Sequence, residues 1–111
     1  NQVLLQLTTR DFSFITEDNL AKLYSIFHQH NIKVNLIQNA AISFVACIDR
    51  QEDKIKPLIA ELEKDYKVLR NEGLSLLTVR HYTPEILFDL TRNRYTLLEQ
   101  KTRHTVQVVV K

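Results

Sequence analysis

Few residues in this chain have the type and spacing for covalent or metal chemistry. Cys47 stands alone inside the apolar run Ile42-Ser43-Phe44-Val45-Ala46-Cys47-Ile48. A nucleophilic thiol must be reachable and partly ionised, whereas a cysteine in a buried strand behaves as a small hydrophobe. With one cysteine, no disulfide framework exists within the chain, and a reducing cytoplasm is the expected compartment. His28 and His30 are two apart, so on a helix they point to different sides and do not converge on a metal. Imidazoles near a helix C-terminus have a simpler use, facing its negative end. His81 and His104 fall at strand ends with no partner visible in the sequence. The single glycine, Gly73, rules out Gly-rich phosphate loops and dinucleotide fingerprints.

The chemistry that remains is recognition. The segment from Arg10 to Asn19 links a strand to a helix, and Val34 to Asn39 is expected as its neighbour at one end of a sheet. Backbone N–H groups at a helix N-terminus suit a carboxylate. Asn35, Gln38 and Asn39 offer oxygens to an ammonium group. An ordinary surface loop capped by Thr16 accounts for the same residues.

The elements that position these residues follow from hydrophobic period. Val3 to Thr9 is apolar and β-prone, so it reads as a strand. Thr16 supplies an N-cap oxygen, and Glu17 and Asp18 place negative charge in the first turn. Leu20, Leu23, Ile26 and Phe27 then recur at helical spacing, and Asn31 is a suitable stop. Val34–Ile37 and Ile42–Ile48 read as two strands. Ile55, Leu58, Ile59, Leu62 and Tyr66 give a second helical stripe, starting near Asp53 because Pro57 belongs close to a first turn. A strand from Tyr66 is expected to end near Gly73. The order then restarts with a strand at Leu74–Val79 and a helix start at Thr83-Pro84-Glu85, lined by Ile86, Leu87 and Leu90. Strands at Tyr95–Leu98 and Thr105–Val110 follow.

The halves align. Leu4–Thr8 resembles Leu76–Arg80, Leu36–Asn39 resembles Leu97–Gln100, and Ser43–Ala46 resembles Thr105–Val108. A strand–helix–hairpin–helix–strand order predicts an α+β, ferredoxin-like βαββαβ domain over residues 1–73, with antiparallel sheet and helices on one face. Residues 74–111 predict a second, partial βαββ unit whose open sheet edge should seek a partner.

The 111 residues suit one compact domain or two small ones. Hydrophobic residues make up 44% and charged residues 25%, a globular composition. No apolar run approaches the roughly 20 residues of a membrane span, so no membrane role is expected. The net charge of +2 is spread without a basic face, and Phe44 alone among the aromatics falls well inside an expected strand. Nucleic-acid binding is therefore not expected. A chain that opens on Asn1 and contains no methionine reads as a piece of something longer.

Several segments resemble the C-terminal regulatory region of aspartokinases, which holds paired ACT domains. They are Asn1-Gln2-Val3-Leu4-Leu5-Gln6-Leu7, Leu20-Ala21 to Phe27, His30-Asn31-Ile32, Val34-Asn35-Leu36-Ile37, Ile42-Ser43-Phe44 and Gly73-Leu74-Ser75-Leu76-Leu77-Thr78. The resemblance covers nearly the whole chain. It implies an allosteric amino-acid sensor for lysine or threonine, attached to an N-terminal amino-kinase domain and paired as a homodimer through its sheet edges. It also implies no catalysis and no cofactor in this segment. The candidate effector contacts it implies are Ile15, Thr16, Asp18, Leu20, Val34, Asn35, Gln38 and Asn39. The chain departs from lysine-sensing members at Asn35, where they carry Asp, and at Asn39-Ala40-Ala41, where they carry Thr-Ser-Glu. Asp18 stands close to a position that often holds Gly. The alternatives are a dimerisation module without ligand, or a similar sensor on another enzyme of amino-acid metabolism.

Overall fold

A computed structural model describes residues 1–111. Its elements run β1 (Gln2–Thr9), α1 (Glu17–Gln29), β2 (Val34–Asn39), β3 (Ser43–Asp49), α2 (Glu52–Leu62), β4 (Tyr66–Arg80), α3 (Pro84–Thr91), β5 (Thr96–Lys101) and β6 (Thr105–Val110). The fold is α+β with antiparallel strands. Two compact units divide it: Gln2–Glu72, and Gly73–Lys111 together with Asn1.

In the unit Gln2–Glu72 the strand order is β2-β3-β1-β4, with β2 at the edge. β1 and β3 pair in register from Gln2↔Asp49 to Thr8↔Ser43. Strand alternation sends Val3, Leu5, Leu7, Phe44, Ala46 and Ile48 to one face, where Leu23 and Phe27 of α1 and Ile55, Leu58 and Leu62 of α2 close over them. Each of these side chains is at most 2% exposed, so the helical stripes read from period become one core. Leu4, Cys47 and Leu36, in register across three strands, take the other face and are buried as well.

The helix boundaries have local causes. Thr16 and Asn19 form a reciprocal capping box: Asn19 N–H donates to Thr16 Oγ1 at 3.4 Å and Thr16 N–H donates to Asn19 Oδ1 at 3.0 Å. Asn31 takes the left-handed conformation with φ 55°, ending α1 as its residue type suggests. Lys64 and Asp65 donate to the carbonyls three residues back, tightening the end of α2, and Tyr66 opens β4 where the sequence places the start of that strand. Pro57 lies in the second turn of α2, where it leaves the Asp53 carbonyl without its helical donor.

The unit Gly73–Lys111 repeats the first three-stranded pattern, with order β4-β6-β5. Val106, Val108 and Val110 form its core with Leu77, Val79, Tyr82 and Leu87. Thr83 caps α3 by accepting from Ile86 N–H at 3.2 Å. No residue of α3 is buried, and Phe88 and Leu90 face solvent.

Two sequence expectations change here. Gly73 does not end a strand: β4 runs unbroken for 15 residues, with Gly73 inside it at φ +71°. A glycine can take that conformation without a Cβ penalty, so the strand continues past it. The middle segment of the internal repeat also shifts by one residue. Leu36 pairs with Cys47 and Leu98 pairs with Val109, so Leu98, rather than Leu97, is the counterpart of Leu36. Irregularities at Val34/Leu36 and Thr96/Leu98 absorb the extra residue at equivalent places.

Candidate effector site

The segment from Arg10 to Ile15 is built by its own hydrogen bonds. Thr9 Oγ1 donates to the Ser13 carbonyl at 2.8 Å, and Ser13 N–H donates to Asp11 Oδ1 at 3.1 Å. Hydrogen bonding from the Ser13 side chain, and then from its backbone N–H, holds the Asp11 carboxyl below its ordinary value. Ile15 N–H donates to the Ala41 carbonyl at 2.8 Å, and Thr9 N–H to the Ile42 carbonyl at 3.1 Å. The loop is thereby tied to the β2–β3 turn, as the sequence suggested for the Asn39 end of that segment. Phe12 takes a left-handed φ of 60°, and both Phe12 and Phe14 stand about three-quarters exposed, at 74% and 73%.

Ile15, Thr16, Glu17 and Asp18 line a shallow depression of about 400 Å³ at the start of α1. The capping box occupies the Thr16 and Asn19 amides, which leaves the Glu17 and Asp18 N–H groups as the helix donors available to an anion. The same two residues contribute carboxylates. A zwitterion can therefore set its carboxylate on the amides and an ammonium against the side chains. Leu20, one turn on, is half-buried against the core.

The remaining candidates divide. Gln38 and Asn39 lie at the turn end of β2, opposite Val45 and Phe44. Val34 and Asn35 lie at the other end, about 13 Å from Asn39 for Asn35 along an extended strand. There Asn35 Nδ2 donates to Gln2 Oε1 and to Asp49 Oδ1, each at 2.8 Å, and Gln2 Nε2 donates to Asp49 Oδ1 at 2.9 Å. The bonds from Gln2 and then Asn35 hold the Asp49 carboxyl below its usual range. Within one chain, Asn35 and Thr16 do not share a site.

A second, deeper feature escaped the sequence. A cleft of about 490 Å³ opens between the Thr9–Ser13 segment, α1 and the α2–β4 turn. Arg10, Lys22 and Lys64 line it, on three elements far apart in sequence, and no motif links them. The histidines also have partners that sequence did not reveal. His30 Nε2 lies 3.8 Å from Glu61 Oε2. The His81 and His104 rings are 5.8 Å apart, and His81 N–H donates to the His104 carbonyl. No group of three His, Cys, Asp or Glu side chains is placed to hold a metal ion. No helix is long and apolar enough to cross a membrane.

The fold defines a class: paired ferredoxin-like α+β units built on antiparallel sheet. Among solved structures, the chain superposes on E. coli aspartokinase III in complex with lysine and aspartate with a TM-score of 0.78. Identity there is 22%, over 99% of this chain and 27% of that one. A Clostridium acetobutylicum aspartate kinase gives 0.80 at 14% identity, over 100% and 29%. A putative C-terminal regulatory domain of aspartate kinase from Porphyromonas gingivalis W83 gives 0.81 at 12% identity, over 99% and 80%. The fold is that of an aspartokinase regulatory region, and the chain spans about a quarter of the full-length aspartokinases. No protein-family model and no curated protein sequence matches it.

Proposed function

We propose that this chain is the amino-acid-sensing regulatory part of an aspartokinase, working as a homodimer in the cytoplasm and carrying no catalysis of its own. The observation that carries this reading is the match of the whole chain, both units together, to solved regulatory regions of that enzyme. The effector is an amino acid, lysine or threonine, held at the α1 N-terminus by Ile15, Thr16 and Asp18, with Leu20 behind them.

Dimerisation also reunites the divided candidates. β2 is an edge strand with an unpaired side. A second copy adding antiparallel to it, with Ile37 on the two-fold axis, sets Asn35 of one copy opposite Asn39 of the other. Val34 and Asn35 then reach the depression of the partner copy, beside Gln38 and Asn39. Two carboxylates at the depression, from Glu17 and Asp18, favour an effector carrying more than one positive charge. That supports lysine over threonine on charge, while Ala40 and Ala41 offer no side-chain hydrogen bonds.

Thermal unfolding with L-lysine, L-threonine or L-methionine tests the sensing step. At least one should raise Tm selectively, since ligand at 100 times its Kd stabilises by about 2.7 kcal/mol. Asp18→Asn should weaken the lysine response. Flat responses to all three would leave a dimerisation module without ligand, which sedimentation velocity over a concentration series would still detect. An amino-kinase segment encoded upstream of Asn1 is the expected parent; a different enzyme there would reassign the sensor.

A further inference from the structure

The cleft between α1 and the α2–β4 turn has no part in the effector reading above, and its walls have a consistent chemistry. Arg10, Lys22 and Lys64 reach it from three different elements. Asp11 and Asp65 are the two acids that share it, so cations outnumber carboxylates by three to two. Ion pairs in this unit lie elsewhere: Arg70 with Glu52 and Glu72, Arg50 with the same two acids, His30 with Glu61. The charges around the cleft form no ion pair with one another or with any other group.

One of the two acids is already engaged. The Asp11 carboxylate accepts from Ser13 N–H. Arg10 is fixed in place because its Nη2 donates to the Glu63 carbonyl, which leaves its remaining N–H groups free to bond a ligand. Buried Leu23 and the ring of buried Tyr66 supply an apolar floor. A volume of about 490 Å³ lies within the few hundred cubic ångströms typical of small-ligand sites.

We infer that this cleft binds a small dianion, a phosphate monoester or a dicarboxylate, clamped by Arg10, Lys22 and Lys64. Arg10 supplies directed N–H donors, and the two lysines act as point charges on mobile stems. Thr9, Arg10, Asp11 and Ser13 line this cleft while Ile15 to Asp18 line the α1 depression, so an anion bound here stiffens the segment that leads into the effector contacts. Binding at the cleft does not depend on the effector reading.

Titration of the 111-residue chain with inorganic phosphate and, separately, with succinate tests it, at constant ionic strength and with chloride as control. The readout is 1H–15N shifts of the Arg10–Ser13 and Lys64–Tyr66 amides. Saturable shifts with at least one probe, absent with chloride, are expected. The double variant Lys22→Gln/Lys64→Gln should weaken binding at least tenfold while its spectrum elsewhere stays that of the parent chain. Saturation by phosphate alone assigns a phosphate ester, and saturation by succinate alone a dicarboxylate. Non-saturating shifts with both probes, or equal affinity in the double variant, would overturn the site. Arg10→Lys separates directed bonding from charge: retained affinity would overturn the Arg10 clamp.

Discussion

The Cys47 thiol is fully buried in β3, at 0% exposure, and donates to Gln2 Oε1 at 3.1 Å. Burial, with a smaller contribution from the nearby Asp49 carboxylate, pushes its pKa up to about 11. The folded chain therefore holds the thiol proton more tightly than the unfolded chain, whose thiol titrates near 8.5–9. Any stabilisation from this difference is fully present below pH 8.5 and lost as pH rises toward 11, where both states are ionised. Two pKa units amount to roughly 3 kcal/mol across that window. Urea midpoints between pH 8.5 and 11 should fall more steeply for the parent chain than for Cys47→Ala. The alanine variant will start lower because of the cavity it leaves. Parallel slopes would show that the thiol does not titrate as its burial requires. The same burial leaves the thiol inert to alkylating reagents in the folded chain.

Among the elements, β4 carries the most unusual demand. It runs 15 residues with Gly73 at φ +71° and no atom within 4 Å of the position a Cβ would take. Space is thus not the constraint, and only backbone conformation resists a side chain there. Gly73→Ala should cost about 1–2 kcal/mol, the usual penalty for a left-handed L-residue. Gly73→Asn should cost less, because asparagine visits that region more readily. Chemical denaturation of the two variants checks the order; equal losses would point to a different cause, such as a lost contact that glycine makes. The repeated helix starts tell a related story. Thr16 and Thr83 each accept from the N–H three residues on, with a reciprocal bond only at Thr16, yet six residues separate Thr9 from Thr16 and only one separates the equivalent His81 from Thr83. The loop that shapes both the depression and the cleft belongs to the first unit alone.

At the scale of the molecule, the two units differ in how much they bury. Thirteen buried side chains form the helix-side core of Gln2–Glu72, while three valines anchor the corresponding core of the second unit. α3 buries no residue completely. Local stability should follow, since opening a segment with few buried contacts exposes little apolar surface. Hydrogen exchange should therefore protect the β1 and β3 amides at least tenfold more than those of α3. Uniform protection across both units would mean that they unfold as one cooperative body.

Much of this was written in the sequence because its causes are local. Period 3.6 in Leu20–Phe27 and Ile55–Leu62, alternation in Val106–Val110, and threonine caps at Thr16 and Thr83 each specify an element from neighbouring residues alone. The repeat gave the order of those elements, and order largely sets an antiparallel sheet. Tertiary structure decided what depends on distance. It carried β4 through Gly73, since a ladder is held by its partner strands rather than by its own composition. It moved the repeat alignment to Leu98 through an irregularity that only pairing reveals. It placed Asn35 with Gln2 and Asp49, far from Thr16, because strand length separates residues that a motif lists together. It brought Arg10, Lys22 and Lys64 around one cleft, which no spacing in the sequence could announce, because charges on separate elements converge only after the chain has packed.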